Sequence, residues 1–150
     1  MANSQGIASS FKSEVMSGIH ALGTTVVRAG TGADTINAAL YLASATTGPS
    51  NTAYTATGEA SGAGYAAGGV VVTNASAPST SGTTGIWTPS ASIVFTTITV
   101  GSCDCVMLYN STQGNKAIGT YTFGATSVTV GTLTLTMPTN DASNALLRLA

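Results

Sequence analysis

Few residues in this chain could do chemistry. There is one histidine, His20, two cysteines, Cys103 and Cys105, and five carboxylates, Glu14, Asp34, Glu59, Asp104 and Asp141. Nucleophilic catalysis needs a base beside the nucleophile. His20, beside Ile19 in a helical stretch, stands in no recognisable triad spacing and reads as a surface residue or a satisfied structural one. General acid–base work would need two carboxylates brought together, and each of the five stands alone in the sequence. Asp34, in Gly-Thr-Gly-Ala-Asp-Thr, and Asp141, in Pro-Thr-Asn-Asp-Ala-Ser, read as turn or capping residues. Glu59 sits in a glycine-rich run, where its expected role is to accept hydrogen bonds from backbone amides. Cys103 and Cys105 share one face of a strand but stand too far apart along it for an ordinary disulfide. They read as reduced, partly buried small hydrophobes. A zinc site uses four ligands, a calcium loop several acids within about a dozen residues, and a phosphate loop a Gly-Lys-Ser or Gly-Lys-Thr. None of these patterns occurs, so the expectation is a non-enzymatic protein with no catalytic residue, no cofactor and no metal.

Composition narrows the partners further. The net charge is −1 and 6% of residues are charged, against roughly 25% in an average soluble domain. Lys12, Arg28, Lys116 and Arg148 are scattered, so no cluster exists to bind nucleic acid by counterion release or to hold an anionic membrane. No window approaches the ~18 apolar residues of a membrane helix. The opening Met-Ala-Asn-Ser-Gln-Gly-Ile lacks the basic and apolar stretches of a signal peptide, which implies synthesis in a cytoplasm. A length of 150 residues suits one core, divided into an N-terminal tail over 1–8 and a single domain over 9–150.

The elements that must position these residues are mostly strands. Phe11, Val15, Ile19 and Leu22 recur at helical spacing, predicting one helix over 9–22 with Ser10 as N-cap and Gly23 as stop. Lys12 and Glu14 would then face water. Beyond it the apolar period falls to two and β-branched residues dominate, predicting strands at 24–28, 35–44, 53–57, 69–73, 92–101, 103–110, 116–123, 127–137 and 145–149. Val128 and Val130 alternate on even numbers and Leu133, Leu135 and Met137 on odd ones, which predicts a bulge or turn at Gly131. The pattern is that of a mainly β protein: an antiparallel β-sandwich, jelly-roll-like, with one short N-terminal helix.

Residues 57–69 and 74–85 are uncharged, apart from Glu59, and read as long surface loops. Trp87 follows the second, as core filler or as an interface anchor. The candidate interface residues are Phe11, Val15 and Ile19 on the helix, with Tyr54, Tyr65 and Trp87 near the loops. The helix, or the tail before it, is the segment expected to reach a neighbouring subunit.

Several segments together resemble a family of small virion structural proteins of tailed bacteriophages. They are Phe-Lys-Ser-Glu-Val-Met-Ser-Gly-Ile-His (11–20), Ala-Ala-Leu-Tyr-Leu-Ala-Ser-Ala (38–45), and Thr-Ala-Tyr-Thr-Ala-Thr-Gly-Glu followed by Ala-Ser-Gly-Ala-Gly-Tyr-Ala-Ala-Gly-Gly (52–69). Leu-Tyr-Asn-Ser-Thr-Gln-Gly-Asn-Lys-Ala-Ile (108–118) and Pro-Thr-Asn-Asp-Ala-Ser-Asn-Ala-Leu-Leu-Arg-Leu-Ala (138–150) complete the resemblance, which spans most of the chain. It implies a non-enzymatic capsid decoration (cement) protein that works as a homo-oligomer, trimer or dimer, on a shell of major capsid protein. The virion is then the expected location, after synthesis in the host cytoplasm. The alternative it leaves is a tail, tail-tip or fibre-associated module with receptor or glycan contact through loops 57–69 and 74–87.

Overall fold

The computed structural model describes residues 2–16, 18–23 and 32–150; the strand expected at 24–28 lies outside them. The chain is mainly β, with two antiparallel sheets and one short N-terminal helix. In chain order the elements are β1 (Gly6–Ile7), α1 (Ser9–Met16), β2 (Ile36–Leu42), β3 (Val70–Val71), β4 (Ser79–Ser81), β5 (Thr84–Trp87), β6 (Ile93–Asn110), β7 (Lys116–Leu135) and β8 (Leu147–Leu149). One sheet runs β1-β7-β6-β2-β3 and the other β4-β5-β8. Among the described residues these are not the two four-stranded Greek keys of a jelly roll. The helix is too short to cross a membrane.

The β6–β7 hairpin is the frame. Each of its strands joins two runs that the sequence separates, 92–101 with 103–110 and 116–123 with 127–137, with Gly101 and Gly124 at the junctions. The junctions are instead bends within continuous strands, where the register slips between Val100↔Val128, Cys103↔Thr126 and Cys105↔Thr122. The bending is large. Thr122 and Thr134 of β7 line one depression of about 400 Å³, whereas a straight strand would hold them about 40 Å apart at ~3.3 Å per residue. The far half of the ribbon therefore curls back toward the near half. The irregularity expected at Gly131 is present as a pair of offset bulges, one extra residue on each strand around Ile98↔Gly131. Thr97 (φ 54°) and Val130 (φ 46°) take the left-handed conformations there. β-branched residues rarely adopt this geometry, and both are exposed at the surface.

The core fills the curl. Leu40 and Tyr41 of β2, Phe95, Ile98, Met107 and Leu108 of β6, and Ile118 of β7 are fully buried, and Trp87 and Leu147 of the second sheet join the same cluster. Cys103 and Cys105 are free thiols within it, as expected. Burial first, and then the neighbouring Asp104 charge, push Cys105 up to about 11. A thiolate is the reactive form. Neither cysteine should therefore react with an alkylating reagent at pH 8 until denaturant is added, as read by intact mass. Rapid labelling of the native protein would mean that the ribbon opens at its bend.

The helix stops nearly two turns earlier than its apolar spacing suggests. Gly18 takes φ 68°, its N–H donates to the Val15 carbonyl, and the Ile19 N–H donates to that of Glu14. This is the Schellman ending that a left-handed glycine permits. The tail before the helix is also docked. Asn3 donates from Nδ2 to the Leu42 carbonyl and to Asp104, its Oδ1 accepts from Thr47, and β1 pairs with Gly119–Thr120. The expected surface loop at 74–85 holds β4 and the start of β5. Of the strand expected at 53–57 only a bridge, Ala53↔Lys116, remains.

Candidate interaction surface

Every charged side chain that the structure describes is engaged within the chain. Glu14 lies on α1, expected to face water, yet it is buried. Its Oε1 is 2.9 Å from Lys116 Nζ and its Oε2 2.8 Å from His20 Nε2. The early helix ending turns His20 back onto Glu14, a return that apolar periodicity does not encode. Asn110, fully buried, donates from Nδ2 to Asp34 (2.8 Å) while its Oδ1 accepts from the Gln113 N–H. Those two partners fix which way the amide points. The second Nδ2 hydrogen then meets His20 Nδ1 at 3.0 Å, so that ring nitrogen accepts and Nε2 carries the proton toward Glu14. Both ring nitrogens are engaged and the side chain is sealed from solvent. The arrangement fastens the N-terminal segment to the hairpin turn.

Burial opposes the Glu14 charge, but the hydrogen bonds and charges of His20 and Lys116 outweigh it and hold the carboxyl below its ordinary 4.5. A lowered folded value means that the unfolded chain binds the proton first as the pH falls. The stabilisation from Glu14 is therefore complete above about pH 4.5 and is lost as the pH drops through the lower folded value. The thermal midpoint should fall in that window. Glu14→Gln should flatten the fall and cost about 2 kcal/mol at neutral pH. An unchanged pH profile in the variant would remove Glu14 from this role.

Glu59 organises the glycine-rich run. Tyr54 Oη donates to one carboxylate oxygen (2.6 Å), while Tyr65 Oη (2.9 Å) and the Gly68 N–H (2.7 Å) donate to the other. The expected amide bond is present, and the two phenols are additions that the sequence does not announce. Tyr65 Oη also accepts from the Leu40 N–H, and Tyr109 Oη donates to the Gly68 carbonyl. The Tyr54 ring stacks on Tyr109 and the Tyr65 ring on Phe95. Burial, then the bond to the Glu59 carboxylate, push Tyr54 up to about 12; burial raises Tyr65 as well. The run lies against β2 and β6 rather than projecting from them. A Cβ on Gly62 would stand 1.8 Å from the Thr99 carbonyl oxygen, and one on Gly69 1.7 Å from that of Ala38.

The remaining acids cap or tie. Asp141 accepts from the Ser143 and Asn144 amides and from Thr139, and these bonds, the Asn144 side chain first, lower it to about 2. Asp104 accepts from Asn3, and Arg148 donates to the Ser143 carbonyl. Long stretches of the surface between these groups are uncharged. No charged residue occurs from Ala60 to Cys103 or from Ala117 to Asn140. The outer side of the ribbon presents Val94, Thr96, Thr97, Thr122, Ser127, Thr129, Val130, Thr132 and Thr134.

The candidate interface residues are not brought together on that surface. Phe11 and Trp87 are 1% and 2% exposed: both are core residues, so Trp87 takes the core-filler alternative and Phe11 is not a surface residue. Trp87 Nε1 donates to the Leu22 carbonyl, and Phe11 packs on the His20 ring. Val15, Ile19, Tyr54 and Tyr65 are half-buried. Phe11, Val15, Leu22, Ile86, Trp87 and Leu147 line an apolar depression of about 180 Å³ between the helix and the smaller sheet. Among the described residues no three His, Cys, Asp or Glu side chains gather to hold a metal. No family model, curated protein or solved structure matches the chain.

Proposed function

We propose that this chain is a non-enzymatic structural protein of a bacteriophage virion, a capsid decoration (cement) protein that binds and stabilises the shell of major capsid protein. The observation that carries the reading is the division of the charges. The ionic side chains described are tied into the protomer, and the long ribbon face outside carries only hydroxyls and methyls. A particle component lies against many neighbours at once, and an uncharged surface lets copies sit side by side without repulsion. Threonine, serine and valine also lose little side-chain entropy on burial. Stabilisation follows from mass action, because a protein that binds the assembled shell and not its free subunits shifts the balance toward assembly.

The resemblance of segments 11–20, 38–45, 52–69, 108–118 and 138–150 to small phage virion proteins supports the same reading, and with it self-association. The half-buried Tyr54 and Tyr65, hydrogen-bonded to Glu59, and the buried Trp87 offer no open aromatic platform for a sugar, which favours the capsid over receptor contact through the loops. A cryo-EM reconstruction of purified particles tests the proposal. Density for this fold at regular positions on the capsid lattice is the expected result, and density confined to the tail would overturn the capsid assignment.

A further inference from the structure

The outer edge of β7 carries an inference that rests on the self-association part of that reading and gives it a surface. β7 pairs with β6 along its length, but with β1 only at Gly119 and Thr120. The Thr122 amide meets the Gln5 side chain. Beyond it, among the described residues, no strand lies along the outer edge. Natural proteins protect such edges with charge, proline or bulges. The bulge at Val130 protects the middle of this one, but from Gly131 to Met137 the edge has no bulge, charge or proline.

That stretch reads Gly-Thr-Leu-Thr-Leu-Thr-Met, and its centre is palindromic about Thr134. In an antiparallel pair the partner strand runs in reverse. A second copy laid along this edge across a two-fold axis at Thr134 therefore sets Thr132 against Thr136, Leu133 against Leu135, and Thr134 against itself. The alternation of faces is kept. Thr132, Thr134 and Thr136 are exposed, and Leu133 and Leu135 are half-buried, so threonines meet on the outer face and leucines complete each other's cover on the inner one. Cross-strand threonine and apolar pairs are favourable, and a two-fold contact requires such self-complementarity.

We propose that the end of β7 and the two residues that follow it form a self-association edge, Gly131–Met137 pairing with the same segment of a second copy of this chain about a two-fold axis at Thr134. Seven residues span roughly 23 Å, and edge pairing over that length buries about 500 Å² from both copies, well below a standard interface of ~1,600 Å². The main-chain hydrogen bonds of strand addition must supply much of the affinity. The isolated pair is accordingly weak, and firm only where a lattice holds both copies.

Analytical ultracentrifugation of the purified full chain from about 5 to 500 μM tests this. Wild type should pass reversibly from monomer to dimer. Thr134→Lys places two like charges opposite each other at an exposed position and should weaken the dimer at least tenfold. Thr134→Asp should do the same. An equimolar mixture of the two should pair again, because residue 134 faces its own copy. Amide deuterium uptake at Gly131–Met137, slowing as wild-type concentration rises, reads the same contact without any substitution. A wild type monomeric throughout the range would overturn the proposal. So would dimerisation unaffected by Thr134→Lys, failure of the mixture to pair, or protection appearing elsewhere. Each of these concerns the free chain, whereas the particle reconstruction alone decides the virion reading, so the two can fail separately.

Discussion

Gly69→Ala should lower stability by about 3 kcal/mol or more, combining ~1–2 kcal/mol for a left-handed alanine with ~1–3 kcal/mol for overpacking. Gly69 takes φ 75°, and its added methyl would meet the Ala38 carbonyl oxygen at 1.7 Å and the Ala39 Cα at 2.8 Å. Both obstacles are backbone of β2, which is held between β6 and β3, so neither can swing aside as a side chain would. In a domain of this size the thermal midpoint should fall by roughly 10 °C. Gly114→Ala is the control. Gly114 takes φ 65° in the hairpin turn with nothing near its would-be Cβ, so only the conformational cost of about 1 kcal/mol applies. Equal melting of the two variants would mean that the glycine-rich run does not lie against β2 as described.

Glu59→Ala should cost about 3 kcal/mol, since three donors lose their acceptor together: Tyr54 Oη, Tyr65 Oη and the Gly68 amide. The loss spreads, because Tyr65 Oη also receives the Leu40 amide and Tyr109 Oη holds the Gly68 carbonyl. Glu59→Gln should cost only about 1 kcal/mol. Its Oε1 can keep the Tyr65 and Gly68 bonds, and its amide can donate to the Tyr54 hydroxyl, which reverses its role. Urea unfolding of the three proteins gives the comparison, with equal slopes required for two-state reading. Equal, small losses in both variants would show that packing of the rings, rather than the carboxylate, holds the run in place.

Much of the strand content was legible because β-branched alternation survives in β6 and β7 and β2 is a short, largely apolar run, and the parity change around Gly131 marked a real irregularity. The continuity of β6 and β7 was not legible. Gly101 and Gly124 carry the same local signal whether a strand ends or bends, and only the pairing partner decides. β4 was missed because Ser79–Ser81 lies at the edge of a small sheet with mostly exposed side chains, and β5 because its four residues, with Ile86 and Trp87 buried side by side, are too few to write an alternation. At the polar sites the residue types were readable and the partnerships were not. Glu59 stood out as an acid in a glycine run, yet Tyr54 and Tyr65 reach it through a fold in the chain. Glu14 read as solvent-facing because its partners, His20 and Lys116, lie across a helix ending and on another strand. The helix ending had a signal in Gly18, which apolar spacing overrode.

The order in which the strands pair also bears on when this protein can fold as it is made. Gly6 and Ile7 pair with Thr120 and Gly119, made far later than they are; Ile36 waits for Asn110, and Trp87 for Leu147. Contacts this distant in sequence form slowly and leave apolar strands open meanwhile. Translation must therefore run nearly to β8 before either sheet can close. The first half of the chain spends that interval as an unpaired, low-charge polypeptide, which is the stage at which chaperones would find it.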